Sequence, residues 1–414
     1  MTLVELRTTG IAAGGEAVAR DDAGRVVFVA GALPGERVRA SLTEERSQFA
    51  KAQAVEIVDA ADGRIAPPCP EVANGCGGCG WQHVDLATQR ALKATIVTDA
   101  LRRQGRVAHA VVDGGEALAP TSFRTTLRLA VSAAGGGGFR RSRSHDVVDL
   151  DRCLIAHPLL QPLVAHGDFG AATEVTLRCG ARTGERMALV DPSATGVLLP
   201  AGDGDVLVVG ADELRAGRRA WIHEELAGRR WRISARSFFQ ARPDGAEALV
   251  EAVADVLGAP ASPDERLLDA YGGVGLFAGA LGAGRRTTLV ERSASSVADA
   301  RVNLADREAK VLRMDVERWR PAPMDVVVAD PARTGLGKAA VAVLAATGAR
   351  RLVLVSCDPA SLGRDAALLG AAGYAWTATR LVDLFPHTPH IEAVTCFDRR
   401  PSEDAQWSEE GGHG

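Results

Sequence analysis

The stretch "RLLDAYGGVGLFAGALGAGRRTTLVE", residues 266–291, decides the fold. A short apolar run ends on Asp269, a turn follows with Gly273, Gly275 and Ala278, and a second β-type run ends on Glu291. The unit recurs downstream in "AKVLRMD" (309–315), "MDVVVAD" (324–330), "RLVLVSC" (351–357) and "IEAVTCFD" (391–398). Strands alternating with helical stretches predict a Rossmann-like, doubly wound α/β sheet with helices on both faces. Ligands of that architecture sit at the carboxyl ends of the strands, where Asp269, Glu291, Asp315, Asp330 and Cys357 all fall. Just upstream, "PDGAEALVEAVADVLG" (243–258) sets Ala246, Leu249, Val250, Val253 and Leu257 on one helical face, with Pro243 suited to the first turn and Gly258 to the stop.

Outward from this core the pattern changes. Residues 1–60 alternate apolar and polar positions in "GIAAGGEAVAR", "GRVVFVAGALPGERVRASL" and "FAKAQAVEIVDA", which predicts a small antiparallel, OB-like barrel, either an oligonucleotide binder or a structural addition. Residues 66–235 read as a β-rich central domain. Within it, Leu86, Leu92, Ile96 and Leu101 give an imperfect helical stripe, so residues 85–120 are the part able to pack on the α/β domain instead. The α/β domain spans 236–400, and the polar, acidic tail 401–414 is expected to be disordered. With 414 residues, 46% of them hydrophobic, the chain can build two or three cores. A net charge of −4 gives no global pull toward nucleic acid, so any basic surface must be local. No segment is apolar over a bilayer's width and the N-terminus lacks a leader pattern, which predicts a cytoplasmic protein without membrane contact; a monomer is the expected state.

Three motifs carry chemistry. The glycine turn with Glu291 suits either a dinucleotide or S-adenosylmethionine, since the glycines admit close backbone approach and the carboxylate can accept two ribose hydroxyls. Asp269 before the glycines and Asp315 at the third strand end favour the methyl donor. Seven cysteines are too few and too uneven for a disulfide scaffold, and Cys69-x6-Cys76-x2-Cys79 with distant Cys153 suits zinc or an iron–sulfur cluster. Cys179 and Cys396 read as packing residues. Arg140, Arg141 and Arg143, beside Phe139 and His145, follow a glycine run and suit phosphate contact with base stacking; Arg102, Arg103 and Arg106 are further candidates.

Taken in order, "SFFQ" (237–240), "DAYGGVG" (269–275), "DPARTG" (330–335), "SCDPASLGRD" (356–365) and "FPHTPHIE" (385–392), behind a TRAM-like barrel and a cysteine cluster, resemble the RNA uracil-C5 methyltransferases that form 5-methyluridine. The resemblance implies that Cys357 is the nucleophile adding to uracil C6, that Glu392 is the base removing the C5 proton, and that Asp330 orients the uracil. It assigns Gln240, Tyr271, Leu276, Glu291 and Asp315 to the donor site, and it selects a [4Fe–4S] cluster on Cys69, Cys76, Cys79 and Cys153. It also implies RNA as partner, with 23S rRNA preferred over the tRNA T-loop. A non-catalytic RNA-binding iron–sulfur protein and a nicotinamide-dependent oxidoreductase are the competing classes. Two positions depart from the family pattern, Ala332 for a proline and Asp358 for an asparagine. A carboxylate facing the thiol would weaken it as a nucleophile, so Asp358 is expected to point away.

Overall fold

The computed structural model describes residues 2–141, 144–200 and 204–401, so Arg143 and the tail beyond residue 401 lie outside the described residues. Strands Leu3–Ile11, Ala17–Arg20, Val26–Ala30, Arg37–Glu45 and Phe49–Asp59 close into a barrel. Its interior is made of small residues in strict alternation, Ala17, Ala19, Val27, Val29, Val38, Ala40, Ala50 and Ala52, all fully buried. The barrel is not wholly antiparallel as expected. Val26–Ala30 pairs in parallel with Phe49–Asp59, the contact that completes its closure. Buried Glu36 ties the barrel to the next segment by accepting from Leu33 N (2.7 Å) and pairing with Arg64 (2.5 Å).

A six-stranded central sheet follows, in the order Val206–Gly210, Arg186–Asp191, Glu174–Cys179, Thr126–Val131, Gly137–Arg140, Val147–Asp149. One of its faces packs Leu127, Leu129, Val175 and Leu177 beneath Leu160, Leu163 and Val164. A separate hairpin pairs Trp221–Leu226 with Arg229–Ser234.

The eight-stranded sheet holds the second half of the chain, in the order Ala309–Arg313, Arg286–Glu291, Arg266–Ala270, Val326–Ala329, Arg351–Ser356, Ala393–Arg399, Tyr374–Leu381, Val112–Asp113. Its first five strands are parallel, as the alternation predicts. The next departs from that expectation. Ala393–Arg399 is inserted antiparallel between Arg351–Ser356 and Tyr374–Leu381, with Ser356 opposite Ala393. The consequence is chemical: an antiparallel strand begins where its parallel neighbours end, so Glu392 arrives at the carboxyl edge beside Cys357.

Pro243–Leu257 forms the expected helix, ended by Gly258 at a φ of 78°, with the five apolar residues of its predicted face buried. Helix Leu86–Arg103 packs on helix Pro359–Ala371, and the chain beyond it adds Val112–Asp113 to the sheet edge. Gly363 permits that helix contact, since a Cβ there would lie 2.7 Å from the Ala100 carbonyl. No helix among the described residues is long and apolar enough to cross a membrane.

Candidate active site

Strand Arg266–Ala270 delivers the glycine turn to the carboxyl edge, where Tyr271, Gly273 and Gly275 all take positive φ (60°, 54° and 95°) before helix Leu276–Leu281 starts. Positive φ is costly for tyrosine, so the turn is held from outside. Asp269 accepts from Ala278 N (2.8 Å), Glu291 accepts from Gly273 N (3.1 Å) and Ser293 N (2.6 Å), and the Tyr271 hydroxyl donates to Glu317 (2.8 Å). Burial pushes the Asp269 carboxyl up to about 7, with the Asp330 and Glu291 charges adding to the shift. Its Oδ1 is buried without a hydrogen-bond partner among the described residues, and a Cβ on Gly273 would meet nothing within 4 Å. Gln240 and Leu276 are buried, and Asp315 stands half-exposed at the third strand end, 3.7 Å from Arg318.

On the neighbouring strands the thiol and the acids meet. Burial, reinforced by the Glu392 and Asp330 charges and opposed by Arg333, raises the Cys357 thiol to about 11. Burial also lifts Glu392 well above the carboxylate range, and the facing Asp330 adds to this while Arg333 counteracts it. Asp330 is itself raised by burial. The chain thus brings together Cys357, Asp330 and Glu392, which the sequence had named, and Arg333, to which it had given no role. Arg333 lies in a loop whose end is clasped by Asp365, which accepts from Leu336 N (2.7 Å) and Gly337 N (3.0 Å). Asp358 faces away from the thiol: its carboxylate caps helix Pro359–Ala371 by accepting from Ser361 N (2.7 Å).

The segment leading to Glu392 is anchored by helix Leu86–Arg103, which explains the imperfect apolar stripe. Its buried face includes Gln89 and Lys93. Gln89 accepts from His387 N (2.7 Å), and Lys93 donates to Asp383 (2.7 Å) and to the Phe385 carbonyl (2.9 Å). Trp81 joins three regions, with its N–H donating to the His387 carbonyl (2.8 Å) and its ring N–H to the Gly15 carbonyl of the barrel (3.0 Å). His387 and His390 have pKa values lowered by burial, so both rings are neutral supports of this segment. Lys93 and Asp383 are 3% and 5% exposed. Asp383→Ala should therefore strand a buried ammonium and cost about 3 kcal/mol of stability, read as a lower urea midpoint at unchanged slope.

Cys69, Cys76, Cys79 and Cys153 line one cavity. Burial raises the last three, Cys79 to about 12, and the neighbouring thiols reinforce the shift. The expected metal-holding geometry is not formed: among the described residues no group of three or more His, Cys, Asp or Glu is arranged to hold a metal ion. The cysteines are placed by their backbones, with Cys69 N donating to the Gln82 side chain (2.9 Å) and Cys153 N to the Gln161 side chain (3.2 Å). Arg140 and Arg141 are exposed along the same segment, where the Arg140 carbonyl accepts from Gly77 N (3.1 Å). Cys179 and Cys396 are buried packing residues. Arg103 is engaged by Asp99 (3.1 Å) and Arg102 by the Ala110 carbonyl (3.2 Å).

An RNA methyltransferase of Streptomyces avermitilis, itself uncharacterized, is 36% identical over 95% of this chain and 98% of its own length. The 23S rRNA (uracil(1939)-C(5))-methyltransferase RlmD of Halomonas elongata is 32% identical over 97% of this chain and 91% of its own length. The chain belongs to the RNA uracil-C5 methyltransferase family. The TRAM domain model matches residues 3–55 of this methyltransferase, the barrel described above. The fold is shared with the Pyrococcus abyssi tRNA (uracil-54, C5)-methyltransferase solved in complex with S-adenosyl-L-homocysteine, with a TM-score of 0.73, 22% identity, and coverage of 95% of this chain and 99% of the other.

Proposed function

We propose that this enzyme methylates C5 of a uridine in RNA through a covalent Cys357 adduct, and that its substrate is 23S rRNA, the class acted on by the RlmD relative. The observation that carries the reading is the meeting of one thiol, two carboxylates and one guanidinium at the carboxyl edge beside the glycine turn. Uracil C5 is a poor nucleophile, so the Cys357 thiolate adds to C6 and moves the C5=C6 electron pair toward C5 and the C4 carbonyl. S-adenosylmethionine, when bound, would supply an electrophilic methyl group to the C5 electron pair, with the sulfonium leaving as the neutral thioether S-adenosylhomocysteine. Glu392 then takes the C5 proton; the freed pair restores C5=C6 as the C6–S bond breaks and the thiolate returns. Asp330 holds the uracil by hydrogen bonding, and Arg333 offsets the negative charge gathered around the thiol.

Asp269, with its unpartnered oxygen, and Glu291, at the strand end, fit a donor carrying a ribose. Gln240, Tyr271, Gly273, Gly275, Leu276 and Asp315 complete that site, with Asp330 at its boundary. Cys69, Cys76, Cys79 and Cys153 are an all-sulfur donor set around one cavity, and a [4Fe–4S] cluster there would require their sulfurs to close from the positions they hold in this structure. The reaction is redox-neutral, so such a cluster serves structure or RNA contact. We propose that Arg140 and Arg141, exposed beside it, contact the RNA. The domains we propose are 1–60, 66–235 and 236–400, with residues 85–120 packed on the last. A cytoplasmic location follows from the RNA substrate.

Incubation with S-adenosylmethionine and 5-fluorouridine-substituted RNA tests the reading, because fluorine at C5 cannot leave as a proton. A methylated protein–RNA adduct on 23S fragments is expected by mass spectrometry. An adduct formed only on tRNA would move the substrate to the T-loop, and none on either would sink the covalent mechanism.

A further inference from the structure

Residues 214–236, "LRAGRRAWIHEELAGRRWRISAR", hold seven arginines and two glutamates in a chain of net charge −4. This is a denser basic stretch than the one around Arg140, and the structure folds it into the hairpin Trp221–Leu226/Arg229–Ser234 immediately before the Ser237–Gln240 turn. Trp221 is 38% exposed, with the Arg232 guanidinium carbon 5.4 Å from its ring centre. The Ala235 N–H donates to the Ala220 carbonyl (2.9 Å), which carries the hairpin register one step further and brings the exposed Arg219 and Arg236 to the same end. Beyond them Phe238 is 69% exposed, two residues before Gln240.

A buried carboxylate fixes this face relative to the donor pocket. Asp299, fully buried, accepts from Arg232 Nε (2.7 Å), Ser234 N (2.8 Å), the Ser234 hydroxyl (2.8 Å) and the Ser237 hydroxyl (2.6 Å). Asn303, one helical turn on, pairs with the Arg232 backbone on both sides (2.8 and 3.1 Å) and donates to the Val274 carbonyl of the glycine turn (3.0 Å). A flexible arginine-rich loop would need no such clamp. This one holds an indole and its arginines in a set position next to the reacting edge.

We infer that the face formed by Trp221, Arg219 and Arg236 is a binding surface for the single-stranded RNA flanking the target uridine, with a base stacked on the indole and phosphates on the two guanidinium groups. The chemistry matches on both counts: an aromatic face takes any base, and arginines beside it take the strand's charge. The face runs directly into the turn carrying Phe238 and Gln240, so a strand lying on it leads to the catalytic edge. The inference rests on the RNA reading above.

The test uses Trp221→Ala and the double variant Arg219→Ser/Arg236→Ser, and leaves Arg232 intact because its loss would strand Asp299. RNA dissociation constants are measured by filter binding across a salt series, with S-adenosylhomocysteine calorimetry confirming a folded donor pocket. Trp221→Ala should weaken RNA binding about 5- to 100-fold. The double variant should weaken it and flatten the slope of log K against log salt by about 1.4, about 0.7 for each lost phosphate contact. Both should raise KM for RNA with kcat near that of the wild type. Unchanged dissociation constants and slope, with donor binding intact, overturn the surface even if the wild type methylates RNA. Weakened binding by the variants of a wild type that methylates no RNA would uphold the surface and remove the reaction.

Discussion

Replacing Cys357 by alanine should lower RNA methylation by at least about 10⁴-fold while S-adenosylhomocysteine binding stays within twofold of wild type. The size follows from the electronic problem: without addition at C6 nothing makes C5 a carbanion equivalent, and proximity to the donor cannot supply the missing electron density. Cys357→Ser should be nearly as inactive, because a buried hydroxyl among carboxylates ionises far less readily than the thiol. The thiol's own position predicts a pH profile. Raised to about 11, it is mostly protonated near neutrality, and its thiolate fraction rises with pH through the whole working range. Adduct formation on 5-fluorouridine RNA should therefore climb about tenfold per pH unit between about pH 7 and 9. Removing the opposing cation in Arg333→Gln should move the rise to higher pH and slow the step at every pH below it. Tritiated-methyl transfer under single-turnover conditions reads all three variants, and an alanine variant within tenfold of wild type would leave Cys357 as packing.

The parallel half of the catalytic sheet was legible because its central strands Val326–Ala329 and Arg351–Ser356 are nearly continuous apolar runs followed by a polar residue or a thiol, a pattern that burial on both faces requires. Helix Pro243–Leu257 was legible for the complementary reason, one apolar face between a proline and a glycine. Tyr374–Leu381 was not read as a strand. Its sequence "YAWTATRL" mixes buried and half-exposed positions, and its place depends on pairing with Ala393–Arg399, close in sequence but reached through the site loop. The same blindness hid the antiparallel insertion, since direction within a sheet leaves no trace in a strand's composition. Gln89 and Lys93 looked like flaws in an amphipathic helix, although their polar atoms are what the catalytic segment needs from it. Asp299 and Asn303 were invisible for a related reason: a buried polar side chain reads as a surface residue until its partners are known. The cysteine spacing announced that the thiols would gather, yet spacing cannot fix the distances among sulfurs.

Glu392→Gln should convert the enzyme from one that turns over to one that is trapped on its product-side adduct. The amide cannot accept the C5 proton, so addition at C6 and methyl transfer proceed while elimination stalls. Natural, unfluorinated RNA should then migrate covalently bound to the protein on a denaturing gel and carry the methyl group, while steady-state turnover falls by about 10²- to 10⁴-fold. The sign of the pH effect follows from the carboxyl's environment. Burial and the facing Asp330 raise Glu392 above the ordinary carboxylate range, with Arg333 opposing the shift, so lowering the pH through that raised value removes the base and slows turnover. Wild-type turnover should fall on the acid side with a limb that the Gln variant lacks, since its elimination no longer depends on that proton. Glu392 enters this position because Ala393 pairs antiparallel with Ser356, the residue before the thiol. If Glu392→Gln left elimination at the wild-type rate, with no adduct on natural RNA, the base would have to be sought elsewhere at the same edge, and Asp330 is the carboxylate that faces the thiol from the neighbouring strand.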